Sequence, residues 1–262
     1  MKYEHQLRKL SSEERKNLSS EEIFHSAEFS SYLQKMGETL LRHCGITKRL
    51  SLTILPTGIA PGWTDGKKEY LVPENTITEA YNDIYAKFTA LLGIHFHEIA
   101  HIIYCDFAEE QKAIDKIKAG EFYGELPVPK TQAEVDALTE MKDALQNSAY
   151  RPLFQQIFND VTNTIDDPHD EGKIIDEFGG IVEKGIATSR EALFRSFDYA
   201  ENILANDKAT KLQKLYALML EFARFEDVFA RDLEQCVCDN DIMKMVIDMA
   251  KPLSQARCCL LY

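Results

Sequence analysis

At 262 residues, 45% hydrophobic and 28% charged, the chain holds enough apolar material for one large domain or two modest ones, and its usage excludes a disordered or collagen-like polymer. Its 43 acidic against 30 basic residues leave a formal charge of −13, which argues against nucleic acid and anionic membranes as partners, because phosphate binding needs a surplus of Lys and Arg. No stretch has membrane-spanning length, and MKYEHQLRKLSSEERKNLSS lacks the apolar core of a secretory signal, so the expected location is cytoplasmic.

The first 45 residues read as charged helix, with Ile23, Phe29, Leu33 and Leu40 as an apolar stripe. The period then changes. Leu50 to Leu55 and Glu69 to Val72 read as strands of a small antiparallel sheet, joined through Trp63-Thr64-Asp65-Gly66, where Asp-Gly is a strong turn signal. A long helical pattern follows from Thr76 to Tyr104, opened by Asn75 or Thr76 as a cap. Everything after it also reads as helix: 108–119, 131–147, 150–166, 168–184, 189–206, 209–226 and 228–249, with Thr188-Ser-Arg-Glu191 as a capping box. The expected fold is therefore mainly α with a small sheet (α+β). The chain reads as a single domain over 1–262, with two lobes, 1–119 and 131–262, parted by the glycine- and proline-bearing loop Gly120 to Thr131.

The six cysteines, Cys44, Cys105, Cys236, Cys238, Cys258 and Cys259, include a CxC and an adjacent pair without the two-residue gaps of structural zinc sites. Reduced thiols are the expectation.

Gly93-Ile-His-Phe-His97-Glu98-Ile-Ala-His101 contains HExxH inside a segment that is helical on independent grounds. Residues four apart share a helix face, so His97 and His101 can point their imidazoles at one ion, which is half of a tetrahedral zinc site. Glu98 lies about 100° around the helix, placed to take a proton from a water on the metal without coordinating it. Zn2+ with Glu98 as general base serves peptide-bond hydrolysis. The competing reading is two ordinary helix histidines and a surface carboxylate. His95, on nearly the opposite face from His97, reads as a packing residue or one that orients a ligand.

A third ligand must come from further along, since no third histidine follows at short range. Asn163-Thr-Ile-Asp166-Asp167-Pro168-His169-Asp170-Glu171 is the richest segment, at the end of an amphipathic helix. Asp-Asp-Pro is also what the start of a new helix looks like, with Asp as cap and Pro in the first position.

These residues resemble a family of zincin-type metallopeptidases of bacteria and their phages, often followed in longer members by a von Willebrand factor A-type domain. The resemblance covers roughly residues 50–175. It rests on the Thr64-Asp65-Gly66 turn, Gly93, the run His97-Glu98-Ile-Ala-His101-Ile-Ile-Tyr-Cys-Asp106-Phe107, and Asn163-x-x-Asp166-Asp167 ending at Glu171. It implies a gluzincin-like site with Asp166 as the third metal ligand, where the family has Glu; Asp167, His169 and Glu171 are the alternatives. It also implies a zincin fold whose sheet edge aligns an extended peptide. Pro168 departs from the family's continuous helix, and no Asp-x-Ser-x-Ser motif of the von Willebrand type is present.

The expected activity is thus a zinc metallopeptidase acting on a peptide or protein substrate. The alternative is an idle zincin scaffold that binds a partner through its acidic surface. Tyr150, Arg151 and His169 are the sequence's offers for oxyanion contact.

Overall fold

The computed structural model describes residues 19–196, 200–224 and 241–249. The chain divides into two compact units: residues 1–103 with 171–196, and residues 104–170 with 197–262. The loop Gly120 to Thr131 lies inside the second unit. The four C-terminal cysteines and the first 18 residues lie outside the described part.

The first unit opens with two capped helices, α1 (Ser20–Phe24) and α2 (Ala27–His43). Ser19 and Glu22 form a reciprocal capping box at α1, and the Ser26 hydroxyl accepts from the Phe29 N–H at α2. Three strands follow: β1 (Ser51–Ile54), β2 (Gly62–Thr64) and β3 (Lys68–Leu71), in the order β1-β3-β2.

The sheet is mixed, which corrects the antiparallel expectation. β2 and β3 form the hairpin, with Gly62 opposite Leu71 and Trp63 opposite Tyr70, and Gly66 at φ 77° supplies the left-handed turn position. Asp65 Oδ1 fixes that turn by accepting from the N–H groups of Lys67 and Lys68 at 2.9 and 2.7 Å. The six-residue GWTDGK stretch thus holds a strand as well as a turn, and the chain between Leu55 and Pro61 lets β1 run parallel to β3. Trp63 stacks on Tyr70 with ring centroids 5.1 Å apart, a cross-strand pair that pins the register.

The helix expected from Thr76 is split. Asn75 caps only a short 3-10 turn at Thr78–Ala80, accepting from the N–H groups of Ile77 and Thr78, and α3 (Ile84–Tyr104) starts afresh, with Asp83 accepting from the Ala86 N–H at 2.9 Å. From Thr89 to Ile102 α3 is buried on almost every side, which is the mark of a central core helix. Leu91, Leu92, Phe96 and Ile99 are fully enclosed, and each contributes about 1.5–3 kcal/mol by burial.

After α3 come α4 (Phe107–Ala119), α5 (Gln132–Gln146), α6 (Arg151–Phe178) and α7 (Gly180–Ser196). Asp106 caps α4, and Gly120 ends it at φ 85°. Helices expected as 150–166 and 168–184 are the single helix α6, which runs through Pro168. The proline removes one N–H that Thr164's carbonyl would have used. Burial of Thr164, Asp167, Pro168, Asp170, Glu171 and Ile174 on both sides of it keeps the helix intact.

The real break comes at Gly179 and Gly180, with φ of 52° and 54°. The Thr188–Glu191 capping box is corrected too, because α7 runs straight through it and the Thr188 hydroxyl donates to the Lys184 carbonyl within the helix. In the first unit α7 packs against α3 at Gly93, where an added Cβ would lie 2.1 Å from the Gly185 carbonyl oxygen.

The second unit also holds α8 (Ala200–Ala205), α9 (Lys211–Arg224) and the helical residues 241–249. Ala200, Leu218, Met219, Phe222, Met243 and Val246 form its core, with Ile165 of α6 packed against them.

Candidate metal centre

Helix α3 carries both histidines of HExxH one turn apart. Their Nε2 atoms stand 3.1 Å from each other, with ring centroids at 4.5 Å and the planes at 84°. Two ligands bound at about 2.0–2.1 Å with tetrahedral angles sit about 3.3 Å apart, so the pair has the separation a shared zinc requires.

The opposite edge of the first ring is held. His97 Nδ1 pairs with Glu171 Oε1 at 2.8 Å, so Nδ1–H donates to the carboxylate and Nε2 keeps its lone pair. Glu171 is 5% exposed, and its second oxygen accepts from Arg190 Nε on α7. Burial pushes the Glu171 carboxyl up, but the hydrogen bond and charge of His97, with the Arg190 guanidinium, outweigh it and hold the group below its ordinary value. Glu171 is therefore an ionised carboxylate that orients His97.

Glu98 is also buried, and desolvation pushes its carboxyl above the usual range; His97 and His101 pull the other way, while Glu69 adds to the rise. Strand β2 passes beside it, since a Cβ added to Gly62 would lie 3.1 Å from Glu98 Oε1. Only a glycine brings the edge-strand backbone so close.

Behind the motif, His95 Nδ1 pairs with Glu69 Oε1 at 2.6 Å, both side chains fully enclosed. This tie joins β3 to α3, and it makes His95 a buried anchor of the motif helix. Among the described residues, Glu69 Oε2 and His95 Nε2 have no hydrogen-bond partner.

In α6, Asp166 and Asp167 take different settings. Asp167 is 5% exposed and stands one helical turn before Glu171, on the same face. Asp166 instead brings a carboxylate oxygen within 4.8 Å of donor atoms of Cys105 and Glu110 in the second unit. Nearby, the Cys105 thiol donates to Asp170 at 3.0 Å, and His169 Nδ1 pairs with Asp170 at 2.8 Å. Groups of His, Cys and carboxylate donors able to hold a metal ion are thus present among the described residues.

The residues offered for oxyanion contact have other settings. The Arg151 guanidinium donates to the carbonyls of Lys118, Leu145 and Gln146, closing the ends of α4 and α5, and Tyr150 is half exposed at the start of α6. Sequence reading missed Arg190, Glu69 and Gly62. None carries a local signal: Arg190 and Glu69 join the site through contacts distant in sequence, and Gly62 matters for the side chain it lacks.

No protein-family model, curated protein or solved structure matches this chain.

Proposed function

We propose that the chain is a zinc-dependent peptidase of the zincin class, with His97 and His101 holding the metal and Glu98 as general base. The observation that carries this reading is the convergence of the two Nε2 atoms at 3.1 Å, with Glu171 backing the first ring. An orienting carboxylate on the far nitrogen is the usual companion of a ligand histidine.

A zinc held by His97 and His101 would lower the pKa of water and polarise a carbonyl. Glu98 takes the water's proton at its carboxylate and passes it to the leaving amine, and its raised proton affinity suits both transfers. The substrate is a peptide in extended form, added along β2, the sheet edge whose Gly62 lies against Glu98. Among the described residues no single helix is long and apolar enough to cross a membrane.

The test is zinc content and peptide cleavage for the wild type, E98Q and H97A/H101A. The reading expects one zinc per chain in wild type and E98Q, loss of zinc in H97A/H101A, and turnover abolished in E98Q. Zinc bound with no cleavage of a peptide library points to the idle scaffold, and zinc retained by H97A/H101A overturns the reading.

A further inference from the structure

In the first unit, α2 and the segment entering β1 line an open cleft of about 420 Å³. Lys35 and Arg42 come from α2, Lys48 and Arg49 from the approach to β1. Glu38 is the one carboxylate in the wall, and it takes a hydrogen bond from Gln34 Nε2 at 3.1 Å.

Among the described residues, none of the four cations has a carboxylate within ion-pair distance. Arg42 donates to the Thr39 hydroxyl and Lys48 to the Gly66 carbonyl, each at 3.2 Å, so both are steered but not neutralised. Other cations of this chain do find carboxylates, as in Lys87–Glu79, Lys116–Glu121 and Arg195–Glu191. Four cations around one cleft, against one carboxylate and with no ion pair among the described residues, make a local positive patch in a protein of net charge −13. Their mutual repulsion is relieved by a bound anion.

The lining fixes the kind of anion. It contains no aliphatic or aromatic side chain, so there is nothing to receive an acyl chain or stack a base. Arg forks and Lys ammoniums match phosphate oxygens, and the Ser31 and Thr47 hydroxyls add neutral donors. Lys35 and Arg42 are seven residues apart on α2, about 10 Å along its axis, which is longer than one phosphate group. We propose that this cleft binds a polyphosphate group, either free or as the tail of a nucleotide.

The experiment is calorimetric titration of the full chain with sodium triphosphate, ATP and AMP. Triphosphate and ATP should bind with similar Kd, AMP at least about tenfold more weakly, and affinity should fall steeply between about 50 and 200 mM salt. R42Q/R49Q and, separately, K35Q/K48Q should each weaken triphosphate binding at least about tenfold, while K130Q/K142Q, which removes two lysines outside the cleft, should not. Equal loss in all three variants would reduce the effect to a diffuse field and overturn the assignment. So would binding that survives in R42Q/R49Q, as chelation of a metal elsewhere would, or AMP binding as well as ATP.

Discussion

Glu171 reaches His97 with one carboxylate oxygen and Arg190 with the other, so a single buried side chain joins the motif helix α3 to α7. The ion pair with Arg190 keeps Glu171 charged, and the charge fixes the tautomer of His97. E171Q should lower zinc affinity by about 10–100-fold, as loss of an orienting partner does. Competition with a chromophoric chelator measures it. Unchanged affinity would leave Glu171 a structural residue only.

Gly93 and Gly172 predict opposite outcomes from two formally similar substitutions. G93A drives a methyl into the Gly185 backbone, 2.1 Å from its carbonyl oxygen, and α3 and α7 must part; the expected loss is at least about 1–3 kcal/mol. G172A meets nothing within 4 Å on α6 and should stabilise by about 0.5–1 kcal/mol. Thermal melts of the two variants should shift in opposite directions, and a shift of the same sign in both would contradict the close packing at Gly93.

The His95–Glu69 pair should behave as a buried, coupled hydrogen-bonded pair. Removing one partner, as in H95A, leaves the Glu69 carboxyl buried without that partner, at a cost of at least about 1–3 kcal/mol. The double variant E69Q/H95Q should lose less than the sum of its single substitutions. A double-mutant cycle by denaturant unfolding checks this, and simple additivity would show that the two side chains do not interact.

Cys44 should be a slow thiol. Desolvation first, then the hydrogen bond to Glu177, pushes its pKa up to about 11. The thiolate is the reactive form, so alkylation at about pH 8 should run about a hundredfold slower than for an ordinary cysteine and climb as pH rises toward the shifted pKa. E177Q should speed it. Peptide-resolved mass spectrometry of iodoacetamide labelling reads the rate, and fast labelling of Cys44 near neutrality would rule out the Glu177 contact.

The parts legible in the sequence are those written in local pattern. HExxH on a helix placed His97 and His101 on one face, a helix was expected over 108–119 and a loop from Gly120, where α4 runs from Phe107 to Ala119, and the Asp65-Gly66 turn was found in place. What stayed hidden depends on distant contacts. Pro168 and Asp166-Asp167 look like a helix start, and only burial on both sides of the proline carries α6 through. Thr188 to Glu191 satisfies the capping pattern, yet α7 is already under way, because the preceding glycine pair had begun it. Glu171, the partner of His97, lies 74 residues away in sequence, so no local pattern names it.

The paired glycines at 179 and 180 set the phase of everything that follows them. Each residue of a helix advances its side chains by about 100°, so inserting or deleting one residue at this joint would turn the whole of α7 by that angle. Arg190 would leave Glu171 and Gly185 would leave Gly93 in the same movement. The length of this joint is therefore part of the site itself, and it should tolerate changes of residue identity far better than changes of residue number.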